Sequence, residues 1–206
     1  MHILHLDASI RTTGSVTREL SARLVNEIAR LHEATTDYID LAREAPGHIG
    51  QDYVEAMYLP IAEYTDVHRR AVASSDALVA RLQAADLLVL GVPMYNFAIP
   101  SSLKAFLDQI VRSGLTFSAT AEGYEGLLVG KRAIAIIGSG GSYQAPESRA
   151  MDFVTPYLKT ILGFIGITDV EFVQAGPTLF YGDEARTAAL SEAEARLDRL
   201  AQASEQ

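Results

Sequence analysis

Short apolar runs alternate along the chain with longer segments in which apolar residues recur every three or four positions. A short apolar run is typical of a strand buried on both faces of a parallel sheet, and the longer period is that of an amphipathic helix. Five strands are predicted in this way, near residues 3–6, 36–41, 87–90, 133–137 and 169–174. The pattern therefore predicts an α/β fold, an open parallel sheet with helices on both faces.

The segments between these strands carry helical apolar stripes. We predict helices that cover residues 20–31, 63–84, 103–111, 146–162 and 183–200. The segment 63–84 is either one helix or two, since Ser74-Ser75-Asp76 could begin a separate helix. Three charged residues are expected on the solvated side of the helix over 103–111: Lys104, Asp108 and Arg112.

Two segments lack a helical period. Residues 42–60 contain two prolines and two glycines, and a loop of this length is usually functional or mobile, so we expect an active-site flap. Tyr53 and Tyr58 within it either touch a substrate or cover the edge of the core. Residues 118–130 contain three glycines and are predicted to form a short hairpin beside the site.

Composition narrows the class of protein. A chain of 206 residues, 49% of them hydrophobic, fits a single domain over residues 1–206. There is no cysteine, the formal charge is −9 and lysine and arginine do not cluster, which argues against thiolate chemistry and nucleic-acid binding. No apolar run approaches the roughly 20 residues that cross a membrane, and no signal-peptide pattern is present. We expect a soluble, cytoplasmic protein with neither a membrane nor a nucleic acid as partner.

The first strand ends in a loop rich in hydroxyl groups. Ser9, Ser15 and Thr17 lie in or beside it, Arg11 adds a positive charge, and a helix follows. Free amides and the positive end of the helix dipole make such a loop a good anion site. Ser15 and Thr17 could instead act only as helix caps. Because neither G-x-G-x-x-G nor a P-loop is present, a mononucleotide such as FMN fits better than a dinucleotide.

The third strand leads into the most distinctive stretch of the chain. Met94-Tyr95-Asn96-Phe97 lies between Pro93 and Pro100, so a stiffened loop with large side chains follows the carboxyl end of a strand. Ligands of open α/β sheets bind at that edge. The alternative is that the aromatic side chains only cover the edge of the core.

The fourth strand is followed by Gly138-Ser139-Gly140-Gly141, where glycine lets the backbone approach a ligand and expose its amides, unless the segment is only a turn in solvent. The five histidines show no metal spacing, and H-E-x-x-H and G-x-S-x-G are absent. No metal site and no catalytic side chain are therefore expected, and a cofactor such as FMN would supply the chemistry. Backbone amides near Asn96-Phe97 and Gly140-Gly141 would face its ring.

Residues 93–117 resemble the signature of the FMN-dependent NADH:quinone oxidoreductases, also called azoreductases, of the flavodoxin-like superfamily. The matching pattern is P-M-Y-N-F-x-I-P-x-x-L-K-x-x-x-D-x-x-x-R-x-G-x-T-F, and the resemblance extends from Leu6 to Gly182. So many fixed positions rarely arise by chance. The resemblance implies a flavodoxin-like five-stranded sheet of order 2-1-3-4-5, in which the first and third strands carry their loops into one crevice.

The resemblance also implies an activity. NADH or NADPH would reduce bound FMN by hydride transfer and leave, and a quinone or an azo compound would then take the electrons in a ping-pong cycle. The alternative is a flavodoxin-like electron carrier or a flavin-binding regulatory module without nicotinamide turnover. The family usually has Ser-Arg-Gly-Gly where this chain has Gly138-Ser139-Gly140-Gly141, so Ser139 replaces an arginine.

In the resembling family, positions that match Ser9 and Ser15-Val16-Thr17 hold the FMN phosphate, and a phenylalanine that matches Phe164 reaches the site of the partner in a homodimer. The expected cofactor-binding residues are Ser9, Arg11, Ser15, Val16, Thr17, Met94, Tyr95, Asn96, Phe97, Gly138, Ser139, Gly140 and Gly141. The expected substrate pocket comprises Phe117, Ala119, Tyr143 and Phe164. Apolar loop residues predict the association surface: Tyr53, Tyr58, Phe117, Tyr124, Phe164, Ile165 and Tyr181.

Overall fold

Seven strands are present in the computed structural model, which describes residues 1–204. They are β1 (His2–Asp7), β2 (Thr35–Asp40), β3 (Leu87–Pro93), β4 (Phe117–Thr120), β5 (Gly123–Gly126), β6 (Arg132–Gly138) and β7 (Asp169–Ala175). Five of them form one parallel sheet in the order β2-β1-β3-β6-β7. Counted within that sheet alone, the order is 2-1-3-4-5, which confirms the predicted topology.

Helices cover both faces of the sheet. They are α1 (Val16–His32), α2 (Gln51–Met57), α3 (Asp66–Ala84), α4 (Ser101–Ile110), α5 (Pro146–Arg149), α6 (Thr155–Phe164) and α7 (Gly182–Gln202). α1 and α7 pack on one face, and α3, α4 and α6 pack on the other. Among residues 1–204, no helix is both long and apolar enough to cross a bilayer.

The central strand β3 shows why an unbroken apolar run predicts this layering. Successive side chains of a strand point to opposite faces of the sheet. Leu88 and Leu90 therefore join the core under α3 and α4, whereas Leu87 and Val89 join the core under α1 and α7. Both sides of β3 are therefore buried, and residues 87–92 carry no polar side chain.

The segment 42–60 is more ordered than its composition predicts. It contains α2, and Tyr53 on that helix is only 5% exposed, in a small core with Ala56 and Val72. Tyr53 thus covers the edge of the core, whereas Tyr58 is 85% exposed. The prediction of one continuous irregular loop is wrong here, because packing against α3 stabilises a helix that local sequence alone does not signal.

Arg112 does not lie on a solvated helix face as predicted. α4 ends at Ile110, and the Arg112 side chain turns inward beneath α3. Its Nη1 donates to Ser75 Oγ at 2.6 Å and to Asp76 Oδ1 at 2.9 Å, and its guanidinium lies 5.8 Å from the centre of the Tyr53 ring. Its partners come from distant parts of the chain, so helical periodicity could not indicate them. Ser75 itself lies inside a continuous α3, which settles the open question of one helix or two.

The predicted helix over residues 146–162 is divided into α5 and α6. Asp152 Oδ1 accepts hydrogen bonds from the amides of Val154 and Thr155 at 2.9 and 3.0 Å, and Pro156 occupies the first turn of α6. Asp152 therefore begins a new helix, because a side-chain acceptor satisfies amides that a helix start leaves free. Phe153 is left 59% exposed in the break.

β4 and β5 form the predicted hairpin, outside the main sheet. The hairpin docks where α6 ends, and the amide of Leu128 donates to the carbonyl oxygen of Ile165 at 2.9 Å. Gly126 and Gly166 meet so closely there that a Cβ on Gly166 would lie 2.9 Å from the carbonyl carbon of Gly126. Ile165 is fully buried beneath this contact, so its assignment to an exposed association surface is wrong, as is that of Tyr53.

Candidate functional site

Three loops meet at the carboxyl edge of the sheet, because β1, β3 and β6 are consecutive neighbours in it. Between these loops lies a cavity of about 540 Å³. Ten of the thirteen expected cofactor-binding residues line this cavity: Ser9, Arg11, Ser15, Val16, Thr17, Met94, Tyr95, Gly138, Ser139 and Gly140. Segments that are far apart in sequence thus converge on one site.

The hydroxyl groups of the first loop are buried and turned toward this cavity. Ser9, Ser15 and Thr17 are at most 6% exposed, and Ser15 Oγ lies 3.3 Å from Thr17 Oγ1. Ser15 occupies the position that precedes α1, but its side chain makes no capping hydrogen bond to the helix. The sequence leaves open whether Ser15 acts only as a helix cap. The geometry shows that its side chain does not cap α1.

The loop after β3 contains a tight two-residue turn. Tyr95 and Ala98 exchange backbone hydrogen bonds of 3.0 and 3.1 Å, and the two residues between them have positive φ, 50° at Asn96 and 69° at Phe97. Two left-handed residues are the mark of a type I′ turn, in which glycine or asparagine is usual. A phenylalanine in this conformation is strained, and such strain concentrates at functional sites.

The turn is joined to the hydroxyl-rich loop and to the break before α6. Tyr95 Oη accepts a hydrogen bond of 3.3 Å from the amide of Ile10, and the carbonyl oxygen of Phe97 accepts one of 3.0 Å from the amide of Phe153. Asn96 and Phe97 do not line the cavity in one chain but stand at its rim, Phe97 45% exposed. The turn therefore has fixed flanks and an exposed tip.

The glycine-rich loop after β6 is held by the segment that leads from β7 to α7. The carbonyl oxygen of Ser139 accepts from the amide and the hydroxyl of Thr178, and that of Gly140 accepts from the amides of Leu179 and Phe180, at 2.9 to 3.1 Å. Ser139 Oγ donates to the carbonyl oxygen of Gly141 at 2.7 Å. With its carbonyl groups directed into protein, this loop can present its amides to a ligand.

Two glycines beside the cavity have little room for a side chain, and at Gly138 the neighbouring atom belongs to a buried residue that cannot easily move. A Cβ on Gly138 would lie 2.6 Å from Thr17 Cγ2, and a Cβ on Gly140 would lie 3.0 Å from the Phe180 ring. Close approach of these loops explains both glycines better than a turn in solvent does. Gly141, the last of the expected cofactor residues, packs beside Tyr143 and does not line the cavity.

The expected substrate-pocket residues do not join this cavity within one chain. Phe117 and Phe164 pack together with their ring centres 4.8 Å apart, and Tyr124 completes a cluster with them. Ala119 is exposed on the same hairpin. Only Tyr143 approaches the site, with its ring 6.2 Å from that of Phe97.

Sequence reasoning missed one wall of the cavity. Thr178 and Leu179 line it from the connection between β7 and α7, and Asp183 and Arg186 line it from the start of α7. Their position after the last strand was the available signal, because the carboxyl ends of all parallel strands lie on one edge of a sheet. Leu179, Phe180 and Tyr181 are each more than 60% exposed at the rim, a run of large apolar side chains in water.

A buried polar network lies behind the first loop. Burial, reinforced by the carboxylate of Asp7, raises the pKa of Tyr38 to about 12. Burial acts to raise the pKa of Asp40, but the hydrogen bond from Arg18 and the amide of Ala42 outweigh it, so this pKa lies below its usual value. His5, Ser21 and Asp7 are also hydrogen-bonded here, yet Ser21 is fully buried, so no substrate reaches its hydroxyl.

Metal binding has no evident place in this arrangement. Within residues 1–204, three or more histidine and acidic side chains do not come together in a way that could hold an ion. The site is instead built from hydroxyls, backbone amides and the start of a helix, which are the groups that bind phosphate.

The fold and the position of the cavity define a flavodoxin-like protein, and a family model described as "Flavodoxin-like fold" matches residues 1–201. The FMN-dependent NADH:quinone oxidoreductase of Nostoc punctiforme is 44% identical over 205 residues, which cover 98% of this chain and 99% of that protein. This chain therefore belongs to the family of FMN-dependent NADH:quinone oxidoreductases.

Solved structures agree with this assignment. The FMN-dependent NADH-azoreductase of Bacillus anthracis, solved in complex with FMN, superimposes with a TM-score of 0.84 at 27% identity, covering 97% of this chain and 99% of that one. The azoreductase AzrA superimposes with a TM-score of 0.91 at 24% identity, with coverage of 98% and 99%, and shows the shared fold.

Proposed function

We propose that this protein is an FMN-dependent oxidoreductase that uses NADH to reduce quinones and azo compounds. The observation that carries the proposal is the convergence of three elements on one cavity. These elements are the buried hydroxyls at the start of α1, Met94 and Tyr95 in the loop after β3, and the glycine-rich loop after β6. Relatives of this chain carry the same activity in their names. NADH is available in the cytoplasm, where we propose that the enzyme works.

The residues of the cavity fit FMN. Ser9, Ser15 and Thr17 offer buried hydroxyls at the positive end of the α1 dipole, where the terminal phosphate of a mononucleotide is stabilised. Arg11 and Arg186 add positive charge at the wall of the same cavity. Met94 and Tyr95 would border the ring, and the amides of Asn96-Phe97 and Gly140-Gly141 would meet its polar edge.

When bound, FMN supplies the redox chemistry, since it can take a hydride from NADH and deliver two electrons to an acceptor. The protein contributes binding and orientation. The fixed flanks of the Tyr95–Ala98 turn would help to orient the bound ring, and the apolar side chains at the rim would shield it from water once a substrate or a second chain covers them. A side chain that acts as nucleophile is not needed for this chemistry.

We also propose that the active unit is a homodimer. The cluster of Phe117, Tyr124 and Phe164 lies apart from the cavity of its own chain, yet Tyr124 is 71% exposed. At the rim, Phe97, Phe153 and Phe180 are between 45% and 72% exposed. Exposed aromatic side chains are unfavourable for a monomer. In a homodimer, the aromatic cluster of one chain could cover the exposed aromatic side chains at the rim of the other chain.

The identity of the cofactor tests the proposal. Flavin released by acid from the purified protein and separated by chromatography is expected to be FMN. The hydroxyl-rich loop suits a single phosphate and lacks the glycines that usually cradle a pyrophosphate. Recovery of FAD as the tightly bound flavin, or of a protein that binds no flavin, would contradict it.

A further inference from the structure

Arg18 lies behind the hydroxyl-rich loop and does not line the cavity. It belongs to the first turn of α1, and its side chain is only 13% exposed. Its Nη2 donates to the carbonyl oxygen of Ser9 at 2.6 Å and to Asp40 Oδ1 at 2.5 Å, and its Nη1 donates to Tyr38 Oη at 2.9 Å. One guanidinium thus joins the end of β1, the end of β2 and the start of α1.

The network continues to the last residue of β1. Tyr38 Oη donates to Asp7 Oδ2 at 3.0 Å, and Ser21 Oγ donates to Asp7 Oδ1 at 2.8 Å. A Cβ on Gly91 of the neighbouring strand would collide with this Asp7 oxygen, so the glycine makes room for the carboxylate. Asp7 stands two residues before Ser9, and its position is therefore fixed from three sides.

Burial of these groups is expensive unless every partner is in place. Asp7 and Asp40 both lie against the guanidinium of Arg18, with Asp7 Oδ2 at 3.7 Å from Nη1, and the exposed Arg43 adds a second positive charge 3.5 Å from Asp40 Oδ2. Because the carboxylates of Asp7 and Asp40 neutralise the guanidinium, Arg18 has little net positive charge with which to attract a phosphate directly. Arg18 Nε is buried without a hydrogen-bond partner, but both terminal nitrogens are bonded, and a buried network of this kind rigidifies the backbone to which it is bonded.

The backbone that it fixes is the peptide after Ser9. The carbonyl oxygen of Ser9 points to Arg18, and the following amide, that of Ile10, points to Tyr95 Oη at 3.3 Å. The amide of Arg11 donates to Ser9 Oγ at 3.3 Å, which leaves the hydroxyl hydrogen of Ser9 free to donate elsewhere. That hydrogen can then be directed into the cavity that Ser9 lines.

We propose that Arg18, held by Asp40 and Tyr38, is a positioning residue for the phosphate of the cofactor. It acts through the Ser9 carbonyl and does not touch the ligand, and it keeps the hydroxyls of Ser9, Ser15 and Thr17 converging on one point. The inference rests on the proposed FMN site. It adds Arg18, a residue outside the cavity, to those that tight binding of FMN requires.

The test compares FMN with riboflavin, which is FMN without its phosphate. Arg18→Lys keeps the charge but cannot reproduce three hydrogen bonds from one planar fork. We expect the dissociation constant for FMN, titrated into the full chain after removal of flavin, to rise roughly tenfold, the effect of about one lost hydrogen bond. The dissociation constant for riboflavin should change less than about twofold, since the ring contacts remain.

Arg23→Lys is the matched control. Arg23 lies on the same helix, but it pairs with Glu194 and Asp198 at the surface, so neither dissociation constant should change. Tyr38→Phe serves if Arg18→Lys does not fold, because it removes one hydroxyl from the network and retains the ring against His5. The same selective loss of FMN affinity is expected for it.

Equal weakening of FMN and riboflavin, or unchanged FMN affinity, would overturn the role of Arg18. Ser15→Ala combined with Thr17→Ala separates this from failure of the site itself. If that double variant loses FMN affinity while Arg18→Lys does not, only the positioning role is wrong. If the double variant also binds FMN normally, the phosphate does not lie at this loop and both ideas fail.

Discussion

At the scale of single residues, Phe97 stands out because its backbone adopts a conformation that suits glycine. Its φ of 69° places Cβ close to the following carbonyl oxygen, which costs roughly 1–2 kcal/mol for a residue with a side chain. The ring is 45% exposed, so burial does not repay this cost. The strain is expected to be retained for the contact that the ring makes with a ligand.

Replacement of Phe97 by alanine and by glycine separates strain from contact. Both variants lack the aromatic ring, but only glycine adopts the positive φ of this turn without strain. We expect Phe97→Gly to exceed Phe97→Ala by about 1 kcal/mol in free energy of unfolding, measured with urea on the flavin-free protein. Both should turn over quinone more slowly than the unchanged protein. An alanine variant as stable as the glycine variant would show that the turn is not strained.

Ser15 and Thr17 are the residues whose side chains are expected to decide the affinity for FMN. Their hydroxyls are buried and Ser15 makes no capping bond to α1, so their use lies in the cavity. Ser15→Ala with Thr17→Ala should weaken FMN binding by about 2–4 kcal/mol, from two hydrogen bonds to a charged group. Isothermal titration would give this value, and thermal unfolding of the flavin-free protein should change little. A large loss of stability with unchanged FMN affinity would assign both residues to the fold.

At the scale of elements, the ion pair of Arg18 and Asp40 is one of the bonds that link α1 to β2. Asp40 ends β2, and its hydrogen bond from Arg18 keeps its pKa below the ordinary value of 3.8. Because the folded protein holds this carboxyl ionised more strongly than the unfolded chain does, the pair stabilises the fold at neutral pH. That stabilisation is complete above the unfolded pKa and is lost as pH falls through the folded one.

Asp40→Asn tests this linkage. The variant should be less stable than the unchanged protein by about 1–3 kcal/mol near pH 7. The difference should shrink as pH falls below about 4. Urea unfolding at a series of pH values measures it, with Asp198→Asn, which alters an exposed pair with Arg23, as the control. A difference that stays constant down to pH 2 would show that ionisation of Asp40 is not the cause.

Strands and turns with a strong local signal were predicted, whereas features set by distant contacts were not, and the break between α5 and α6 was missed although Asp152 and Pro156 signal it locally. β3 could be read from its apolar run, and the hairpin of β4 and β5 from its glycines. The end of α4 and the burial of Arg112 depend on Ser75 and Asp76, more than thirty residues away. The wall formed by Thr178 and Leu179 was missed for a similar reason, because only the sheet brings that segment beside the glycine-rich loop.

At the scale of the whole molecule, exposed aromatic side chains occur both at the rim of the cavity and in the cluster of Phe117, Tyr124 and Phe164. Phe164 was expected to reach a partner, but its ring also packs within its own chain against Phe117 and Tyr124. Tyr124 is the more exposed member of the cluster. A substitution of Phe164 would thus disturb the fold of one chain as well as any contact between two.

Tyr124→Asp is therefore the sharper probe of the proposed homodimer. Charge at the exposed side of the cluster should reduce dimer content and quinone turnover together, because a buried unpaired carboxylate is unfavourable at an interface. Light scattering and turnover on the same samples provide the measurement. Ile61→Asp, at a 71% exposed position outside the predicted association surface, should change neither. Full activity in a monomer would contradict the proposal.

The most direct test of the whole account is anaerobic reduction of the purified yellow protein by NADH, followed at the flavin absorption band. If the cavity holds FMN with a face open to nicotinamide, one equivalent of NADH should bleach the band, and one equivalent of a quinone should restore it. An electron carrier or a regulatory module of the same fold would keep its colour in NADH. A flavin that NADH does not reduce would contradict the proposed function.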